Sequence, residues 1–271
     1  MSSVSLARSA PEIATVTFAN PPVNLIDPQT VSALHATIDQ LGADDDVKVV
    51  VFASATDGFY FNHFDLTKAA DFPTLADNVP AWIDLVIRLT KAPFVSIAKI
   101  RGRTRGGGNE LALACDLRYA SEELALFGQP EVGTGILPGG GGSDRLPRLI
   151  GRDRSLEAIL TSADYSAKLA AQYGWVTRAM PDAELDTFVS TLATRLASFD
   201  KQVLAGAKAQ VNRASLPPDA DLLTEYAEYS RSLGWPSFAS GFARLGKQFA
   251  SHGLDVELNL GDYLARTEDG S

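Results

Sequence analysis

The chain has little cysteine and little histidine, and it has no long apolar run. Its 271 residues include one cysteine, Cys115, and three histidines. A single cysteine excludes an internal disulfide framework and is typical of a reducing compartment. The histidines lack metal-ligand spacing, so no metal site is predicted. Residues 1–12 lack a basic segment followed by an apolar one, and the apolar runs are too short for a membrane span, so neither a secretory signal nor a membrane anchor is predicted.

Positive charge is also scarce. The chain has 24 Lys and Arg residues against 33 Asp and Glu residues, which gives a net charge of −9. This excess of negative charge argues against non-specific binding to nucleic acids or anionic membranes. The composition is otherwise ordinary for a globular protein, with 45% hydrophobic and 21% charged residues. We therefore expect a cytoplasmic protein with no nucleic-acid partner and no membrane partner.

Strands and helices alternate in the first half of the chain. Short β-branched or continuously apolar runs at 13–19, 47–54 and 94–100 predict strands, the last two buried on both faces. Asp27 followed by Pro28 is typical of a capped helix start. The apolar faces of the two intervening helices are formed by Val31, Leu34, Ile38 and Leu41, and by Trp82, Ile83, Val86 and Ile87. This alternation predicts an α/β fold with parallel crossovers.

The last part of the chain is helical. Helical patterns cover 201–213, 219–233 and 237–251, and strand signals stop near residue 200. A chain of this length forms one large domain, or one domain with a small appendage. We predict a core domain over 1–200 and a helical segment over 201–271 that covers the core or contacts a neighbouring subunit.

Two glutamates stand next to glycine-rich backbone. Glu110 follows three glycines at 106–108, and Glu131 ends a Gly-Gln-Pro-Glu turn at 128–131. Glycine lets backbone approach a ligand closely, and the free amides that open a helix bind anions. Each glutamate alone could simply offset a helix dipole. Two such helix starts together favour acid–base chemistry beside an anion-stabilising site.

Other catalytic motifs are missing from the sequence. Ser143 lies in G-G-S-D-R, which is not the G-x-S-x-G of a nucleophile elbow, and no G-x-x-x-x-G-K-[ST] phosphate loop is present. The G-T-G at 133–135 lacks the spaced third glycine of a dinucleotide fingerprint. Cys115 is best interpreted as a small apolar helix residue.

Four motifs resemble those of one family. They are F-N-H-F-D-L at 61–66, G-G-G-N-E-L-A-L-A-C-D at 106–116, F-G-Q-P-E at 127–131 and G-I-L-P-G-G-G-G-S-D-R-L at 135–146. In these motifs and their spacing the chain resembles the crotonase, or enoyl-CoA hydratase/isomerase, superfamily, over residues from about 13 to 180. The resemblance implies the ClpP/crotonase-like spiral of ββα units with a helical C-terminal part.

The resemblance also implies an enzyme that acts on acyl-CoA thioesters. Two backbone amides, at the positions of Phe64 and Gly107, would hold the thioester oxygen. Glu110 and Glu131 would position a water, deprotonate it and protonate the α-carbon. Because both glutamates are present, hydration of a 2-enoyl-CoA is favoured, with no cofactor besides the coenzyme A of the substrate. The alternatives are a CoA-thioester isomerase or hydrolase on the same fold and a non-catalytic acyl-CoA-binding protein. A homotrimer or homohexamer is implied.

The substrate-binding positions that the resemblance implies include two departures from the family pattern. The full set is Val23, Asn62, His63, Asp65, Leu66, Gly106, Gln129, Pro130 and Gly139. Asn62 and His63 replace a small residue and a glycine, so they either line the thioester pocket or, for His63, turn away from it. The last long helix lacks the family's Glu-Gly and Lys-Arg pairs. Arg244 or Lys247 could reach a CoA phosphate there, or lie on the surface.

Overall fold

A computed structural model of the protein describes residues 3–266. Its strands are β1 (Val4–Ala10), β2 (Ile13–Phe18), β3 (Val49–Ser54), β4 (Val95–Ile100), β5 (Arg103–Arg105), β6 (Leu117–Ser121), β7 (Leu126–Gly128), β8 (Tyr165–Ser166) and β9 (Arg178–Met180). Its helices are α1 (Pro28–Gly42), α2 (Ala81–Lys91), α3 (Gly107–Ala114), α4 (Glu131–Thr134), α5 (Gly142–Ile150), α6 (Arg152–Thr161), α7 (Ala167–Tyr173), α8 (Asp182–Ala197), α9 (Lys201–Ser215), α10 (Asp219–Ser232), α11 (Pro236–His252), α12 (Leu254–Leu258) and α13 (Leu260–Ala265). Short 3₁₀ turns occupy Leu66–Asp71 and Ala76–Asn78.

The larger sheet has the strand order β1-β2-β3-β4-β6-β9 within the described residues. All neighbours are parallel except the β1–β2 pair. Val49 lies beside Ile13 on one side and beside Val95 on the other. The apolar side chains of β3 are buried on both faces, as a parallel sheet covered by helices requires. The α/β fold class predicted from the sequence is confirmed.

A second, smaller sheet positions the two glutamates. It has the order β5-β7-β8, and β5 and β7 are parallel. Arg105 pairs with Gly128, and the Gly106 N–H donates to the Gly128 carbonyl at 3.1 Å. The chain leaves β5 to enter α3, which carries Glu110, and leaves β7 to enter α4, which begins at Glu131. The two acids therefore follow the carboxyl ends of adjacent parallel strands, where α/β proteins place their sites.

The helices follow the local signals closely. The Asp27 side chain accepts from the Thr30 N–H at the start of α1, with Pro28 in the first turn. Helices α9, α10 and α11 match the three predicted C-terminal helices. The strand β9 has only three residues, which is too short for a clear periodic signal in the sequence. The N-terminal strand β1 and the short helices α12 and α13 were not predicted, since each is short or weakly patterned.

The C-terminal helices build a small apolar cluster separate from the main core. Its members are Leu245, Val256, Leu260, Tyr263 and Leu264. Helix α11 packs on α4, α12 and α13. The division at residue 200 stays a prediction, and residues 267–271 of the predicted C-terminal segment lie outside the described residues. Over residues 3–266, no helix combines the length and apolarity needed to cross a membrane.

Candidate active site

Glu110 and Glu131 line the same cavity. Its volume is about 540 Å³, within the usual range of small-molecule pockets. Its walls come from both parts of the chain. The loops after β2, β3 and β7 contribute one side, and helices α10 to α13 contribute the other. The cavity is therefore enclosed only where the C-terminal helices pack over the α/β part.

Close packing of glycines sets the start of α3. A Cβ atom at Gly108 would lie 1.8 Å from the Phe61 carbonyl oxygen, so no larger residue fits. The Gly108 N–H donates to the Asn62 carbonyl at 3.0 Å. A Cβ at Gly107 would lie 2.8 Å from the Phe64 ring. These contacts bring α3 against the segment that carries Phe64.

Two backbone amides remain free in this arrangement. The N–H groups of Phe64 and Gly107 have no acceptor among residues 3–266. Phe64 lines the cavity, and Gly107 lies directly behind its ring. Unpaired N–H groups held by rigid neighbours can stabilise negative charge on a ligand oxygen. The oxyanion-hole roles of Phe64 and Gly107 stay predictions, and the positions of their free N–H groups are compatible with them.

Three donors hold the Glu110 carboxylate. Its Oε1 accepts from the Gly140 N–H at 2.8 Å, the Gly142 N–H at 3.3 Å and the Gln129 Nε2 at 3.3 Å. Burial raises the pKa of Glu110, and the glycine amides oppose that rise. A Cβ atom at Gly140 would lie 2.1 Å from Glu110 Oε2. The glycine run at 139–142 therefore forms a cradle for this carboxyl group.

Glu131 has a different environment. Its Oε2 is buried and has no hydrogen-bond partner in the described part of the chain. Burial, followed by the charge of Glu110, raises the pKa of Glu131 well above its ordinary value. The two carboxyl groups therefore titrate as a pair, in which Glu131 retains the proton more readily. This gives the cavity one carboxyl group suited to act as a base and one suited to act as an acid.

The turn that carries Glu131 is anchored by the C-terminal part of the chain. In α4, the Gly133 N–H donates to Ser162 Oγ at 2.8 Å, and the Gly133 carbonyl accepts from Arg244 Nη2 at 3.0 Å. A Cβ at Gly241 would lie 2.4 Å from the Thr134 carbonyl oxygen, so α11 and α4 touch backbone to backbone. Arg244 is thus committed to α4, which argues against the role at a CoA phosphate that the sequence left open.

The two unusual loop residues both bind Glu257, but only His63 lines the cavity. Asn62 is fully buried away from the cavity, and its Nδ2 donates to Glu257 Oε2 at 3.1 Å and to the Val23 carbonyl at 3.2 Å. His63 lines the cavity, and its Nε2 lies 3.0 Å from Glu257 Oε1. Glu257 was not predicted, because nothing in the local sequence of α12 indicates a partner almost 200 residues away.

The remaining predicted residues divide into a lining set and a supporting set. The cavity is lined by Val23, Asp65, Leu66, Pro130 and Gly139. Gln129 is buried behind it, where its Oε1 accepts from Asn109 Nδ2 at 2.6 Å and its Nε2 supports Glu110. Gly106 stands between His63 and Glu131, since a Cβ there would lie 3.1 Å from His63 Cβ and 2.8 Å from Glu131 Oε1.

An apolar wall from the C-terminal helices was also missed by the sequence prediction. It consists of Tyr226, Tyr229, Phe242, Leu245, Phe249, Leu254 and Leu260. The helical patterns over 219–233 and 237–251 predict amphipathic helices but not the cavity that they cover, and Leu254 and Leu260 lie on the two short helices that were not predicted. Among residues 3–266, no group of three His, Cys, Asp or Glu side chains is placed to hold a metal ion.

Comparison with known proteins gives matches over most of the chain. A model of the enoyl-CoA hydratase/isomerase family matches residues 8–230. The probable enoyl-CoA hydratase echA8 of Mycobacterium tuberculosis is 32% identical over 219 residues, which is 80% of this chain and 82% of that one. The short-chain-enoyl-CoA hydratase of Clostridium acetobutylicum is 29% identical over 226 residues, covering 82% and 85%. A crystal structure from Streptomyces avermitilis, provisionally assigned as an enoyl-CoA hydratase, is 40% identical with a TM-score of 0.92, covering 98% and 97%.

Proposed function

The chain belongs to the enoyl-CoA hydratase/isomerase family and has the crotonase fold, and we propose that it reversibly adds water to 2-enoyl-CoA thioesters. One observation carries this choice within the family. Glu110 and Glu131 line one cavity next to Phe64, whose N–H has no acceptor among residues 3–266. A base, an acid and an anion-stabilising amide are the groups that hydration of a conjugated thioester requires.

The oxyanion hole acts on the thioester oxygen. The N–H groups of Phe64 and Gly107 would donate to that oxygen, which gains negative charge as the β-carbon is attacked and an enolate forms. Fixed donors stabilise this charge more in the transition state than in the bound substrate, so they accelerate the reaction rather than only tightening binding.

The two carboxyl groups divide the proton transfers. Glu110, held by three donors, takes a proton from a water molecule whose oxygen bonds to the β-carbon. Glu131, whose pKa is raised more strongly, gives its proton to the α-carbon as the enolate collapses to the thioester. The net change is addition of one water. Proton exchange through solvent then returns Glu110 to the ionised form and Glu131 to the protonated form.

The test is direct turnover of a panel of enoyl-CoA thioesters. Hydration removes the conjugated thioester absorbance, and the product is identified as the 3-hydroxyacyl-CoA. We expect Glu110→Gln and Glu131→Gln each to lower the rate by roughly 10²–10⁴, the usual scale for acid–base catalysis. Glu228→Gln, a change at a half-exposed glutamate on α10, is the matched control and should retain the wild-type rate.

The outcomes separate the family's chemistries. Wild-type rates in both glutamate variants would overturn the hydratase mechanism. Sensitivity to Glu131→Gln alone, with a shifted double bond in the product, would indicate an isomerase. Release of free CoA thiol would indicate a hydrolase. Binding of acyl-CoA without any turnover would indicate a non-catalytic acyl-CoA-binding protein.

We also propose that the chain assembles as a homotrimer or homohexamer, as the family resemblance implies. Apolar side chains stand exposed on and near the C-terminal helices α9 and α10, among them Phe199, Val203, Val211 and Leu223. Apolar groups of this kind favour contact with another subunit. Sedimentation should give a species of three or six chains, whereas a monomer would contradict the proposal. The cytoplasmic location stays a prediction.

A further inference from the structure

His63 is bonded on both ring nitrogens to oxygens that accept. Nδ1 lies 2.9 Å from the Phe64 carbonyl oxygen, and Nε2 lies 3.0 and 3.2 Å from the two carboxylate oxygens of Glu257. A ring that donates from both nitrogens is the charged imidazolium. Burial lowers the pKa of His63, but the charge and hydrogen bond of Glu257 outweigh it, so the net pKa is raised. The pKa of Glu257 is lowered, because His63 and Asn62 outweigh its burial.

Glu257 is itself held rigidly. Its side chain is only 5% exposed, and its Oε2 accepts from Asn62 Nδ2 at 3.1 Å. Its backbone carbonyl accepts from Arg105 Nη1 at 2.6 Å, and Arg105 Nε in turn donates to Asp164 at 2.7 Å. A charge taken this far out of water persists only when it is paired and hydrogen-bonded. The short helix α12 is thereby fixed to β5 and to the loop that carries Phe64.

These bonds fix the backbone on both sides of Phe64. Asn62 and His63 precede it, and both bind Glu257. The His63 carbonyl accepts from the Ile26 N–H at 3.0 Å, and the Asp65 N–H donates to the Ile26 carbonyl at 2.9 Å. The side chains of Asn62 and His63 therefore hold this segment from one direction, and the backbone of Ile26 holds it from the other. The Phe64 N–H itself has no acceptor within residues 3–266.

We propose that Glu257 is a positioning residue that, through His63 and Asn62, fixes the Phe64 N–H as an oxyanion donor. The C-terminal segment thereby completes a hole built from the α/β part of the chain. The inference rests on the proposed hydratase function. In this proposal, the side chains of Asn62 and His63 make the loop rigid by binding Glu257. A small residue and a glycine at these two positions could not form such bonds.

Kinetics of three variants test the proposal. Glu257→Gln and His63→Gln should each lower kcat about 10- to 100-fold, less than outright loss of an oxyanion donor, while KM changes less than threefold. The double variant should be no slower than the slower single variant, because both changes break one unit. An unchanged kcat, or losses that multiply in the double variant, would overturn the proposal.

A second histidine–carboxylate pair supplies the control. His35 Nε2 lies 2.7 Å from Asp84 Oδ2, between α1 and α2 and outside the cavity lining. His35→Gln removes a comparable contact, so it should change thermal stability without changing kcat. A fall in kcat as large as that of His63→Gln would show that the effect is general destabilisation, which would overturn the positioning role.

A measurement without turnover separates this inference from the proposed function. The infrared stretch of the thioester carbonyl in bound butyryl-CoA, which cannot be hydrated, reports the strength of the oxyanion donors. We expect the frequency to fall on binding to the wild type, and the fall to be at most half as large in Glu257→Gln. An equal fall in both proteins would overturn the inference. If the expected difference is seen while no enoyl-CoA is hydrated, the proposed function fails alone.

Discussion

The two glutamates in the cavity are supported by two different parts of the molecule. Glu110 is held by Gln129, Gly140 and Gly142, which all lie within the α/β part and close in sequence. Glu131 stands on a single helical turn that α11 touches backbone to backbone at Gly241. The first carboxyl group is fixed by donors to its own oxygen. The second is fixed through the helix beneath it.

This difference has a chemical consequence. Donors to Glu110 stabilise its ionised form and oppose the effect of burial, whereas Glu131 Oε2 has no partner within residues 3–266 and lies in the field of the Glu110 charge. A base needs stabilised charge and an acid needs a retained proton, so the two supports suit opposite roles. The base role of Glu110 and the acid role of Glu131 therefore depend on packing outside the glycine motifs as well as within them.

Among changes to the surroundings of the two glutamates, the largest effect is expected from filling the cradle of Glu110. In Gly140→Ala the new Cβ would meet Glu110 Oε2 at 2.1 Å and Trp82 Nε1 at 2.3 Å, so the carboxyl group must move. A misplacement of about 1 Å costs roughly 10² in rate, and we expect kcat/KM to fall by about 10²–10³. Gly42→Ala is the control, since its nearest neighbour is Pro93 Cδ at 4.0 Å. Wild-type kcat/KM in Gly140→Ala would contradict the assigned role of the cradle.

A smaller effect is expected from separating α11 and α4. In Gly241→Ala the Cβ would lie 2.4 Å from the Thr134 carbonyl oxygen, so α4 must shift and carry Glu131 with it. We expect kcat/KM to fall about 10- to 100-fold, less than for Gly140→Ala because the clash is one step removed from the carboxyl group. On α9, the new Cβ of Gly206→Ala would meet no atom of residues 3–266 within 4 Å, so this change should only add about 0.5–1 kcal/mol of stability. If Gly241→Ala and Gly206→Ala have equal kcat/KM, then α11 does not help to position Glu131.

Local sequence signals predict the backbone next to the two glutamates, but they do not predict the short strands that position it. The glycines near Glu110 and the cap at Asp27 are local signals, and each determines structure within a few residues. The strands β5 and β7 have three residues each, which is too short for a periodic pattern.

Contacts between distant parts of the chain cannot be predicted from local sequence patterns. The bond between Asn62 and Glu257 spans 195 positions, and no local pattern identifies such a partner. Trp175 packs in the core, and its Nε1 donates to Asn109 Oδ1 at 2.8 Å across 66 positions of the chain. Side-chain direction and long-range pairing are tertiary properties, so they override local propensity.

The apolar wall should affect binding more than chemistry. Phe249 lines the cavity from α11 and is 36% exposed. Its removal in Phe249→Ala takes away apolar contact worth roughly 1–2 kcal/mol, so KM should rise about 5- to 30-fold for acyl groups that reach the wall. The kcat should stay constant, because this contact is the same in substrate and transition state. A four-carbon substrate is the internal control, and an equal rise in its KM would mean that Phe249 acts on the CoA part instead.

The smallest effect concerns a third buried acid that links the two halves. Glu225 of α10 accepts from the Ser143 N–H at 2.8 Å, and burial together with the charge of Glu110 raises its pKa to about 8. Below that pH it is largely neutral, and Glu225→Gln should have wild-type activity at pH 7. Above it, the charge of Glu225 raises the pKa of Glu131 and so helps to retain the proton that the acid step needs.

In the Gln variant this assistance is lost, so activity should fall at a lower alkaline pH than in the wild type. At an effective dielectric constant of about 20, which also describes buried sites, two unit charges roughly 15 Å apart interact by about 1 kcal/mol, so we expect a difference of about fivefold. The measurement is kcat/KM from pH 6 to pH 10 for both proteins. Alkaline limbs that coincide would mean that Glu225 is electrostatically isolated from Glu131, and that the C-terminal helices act on this acid through packing alone.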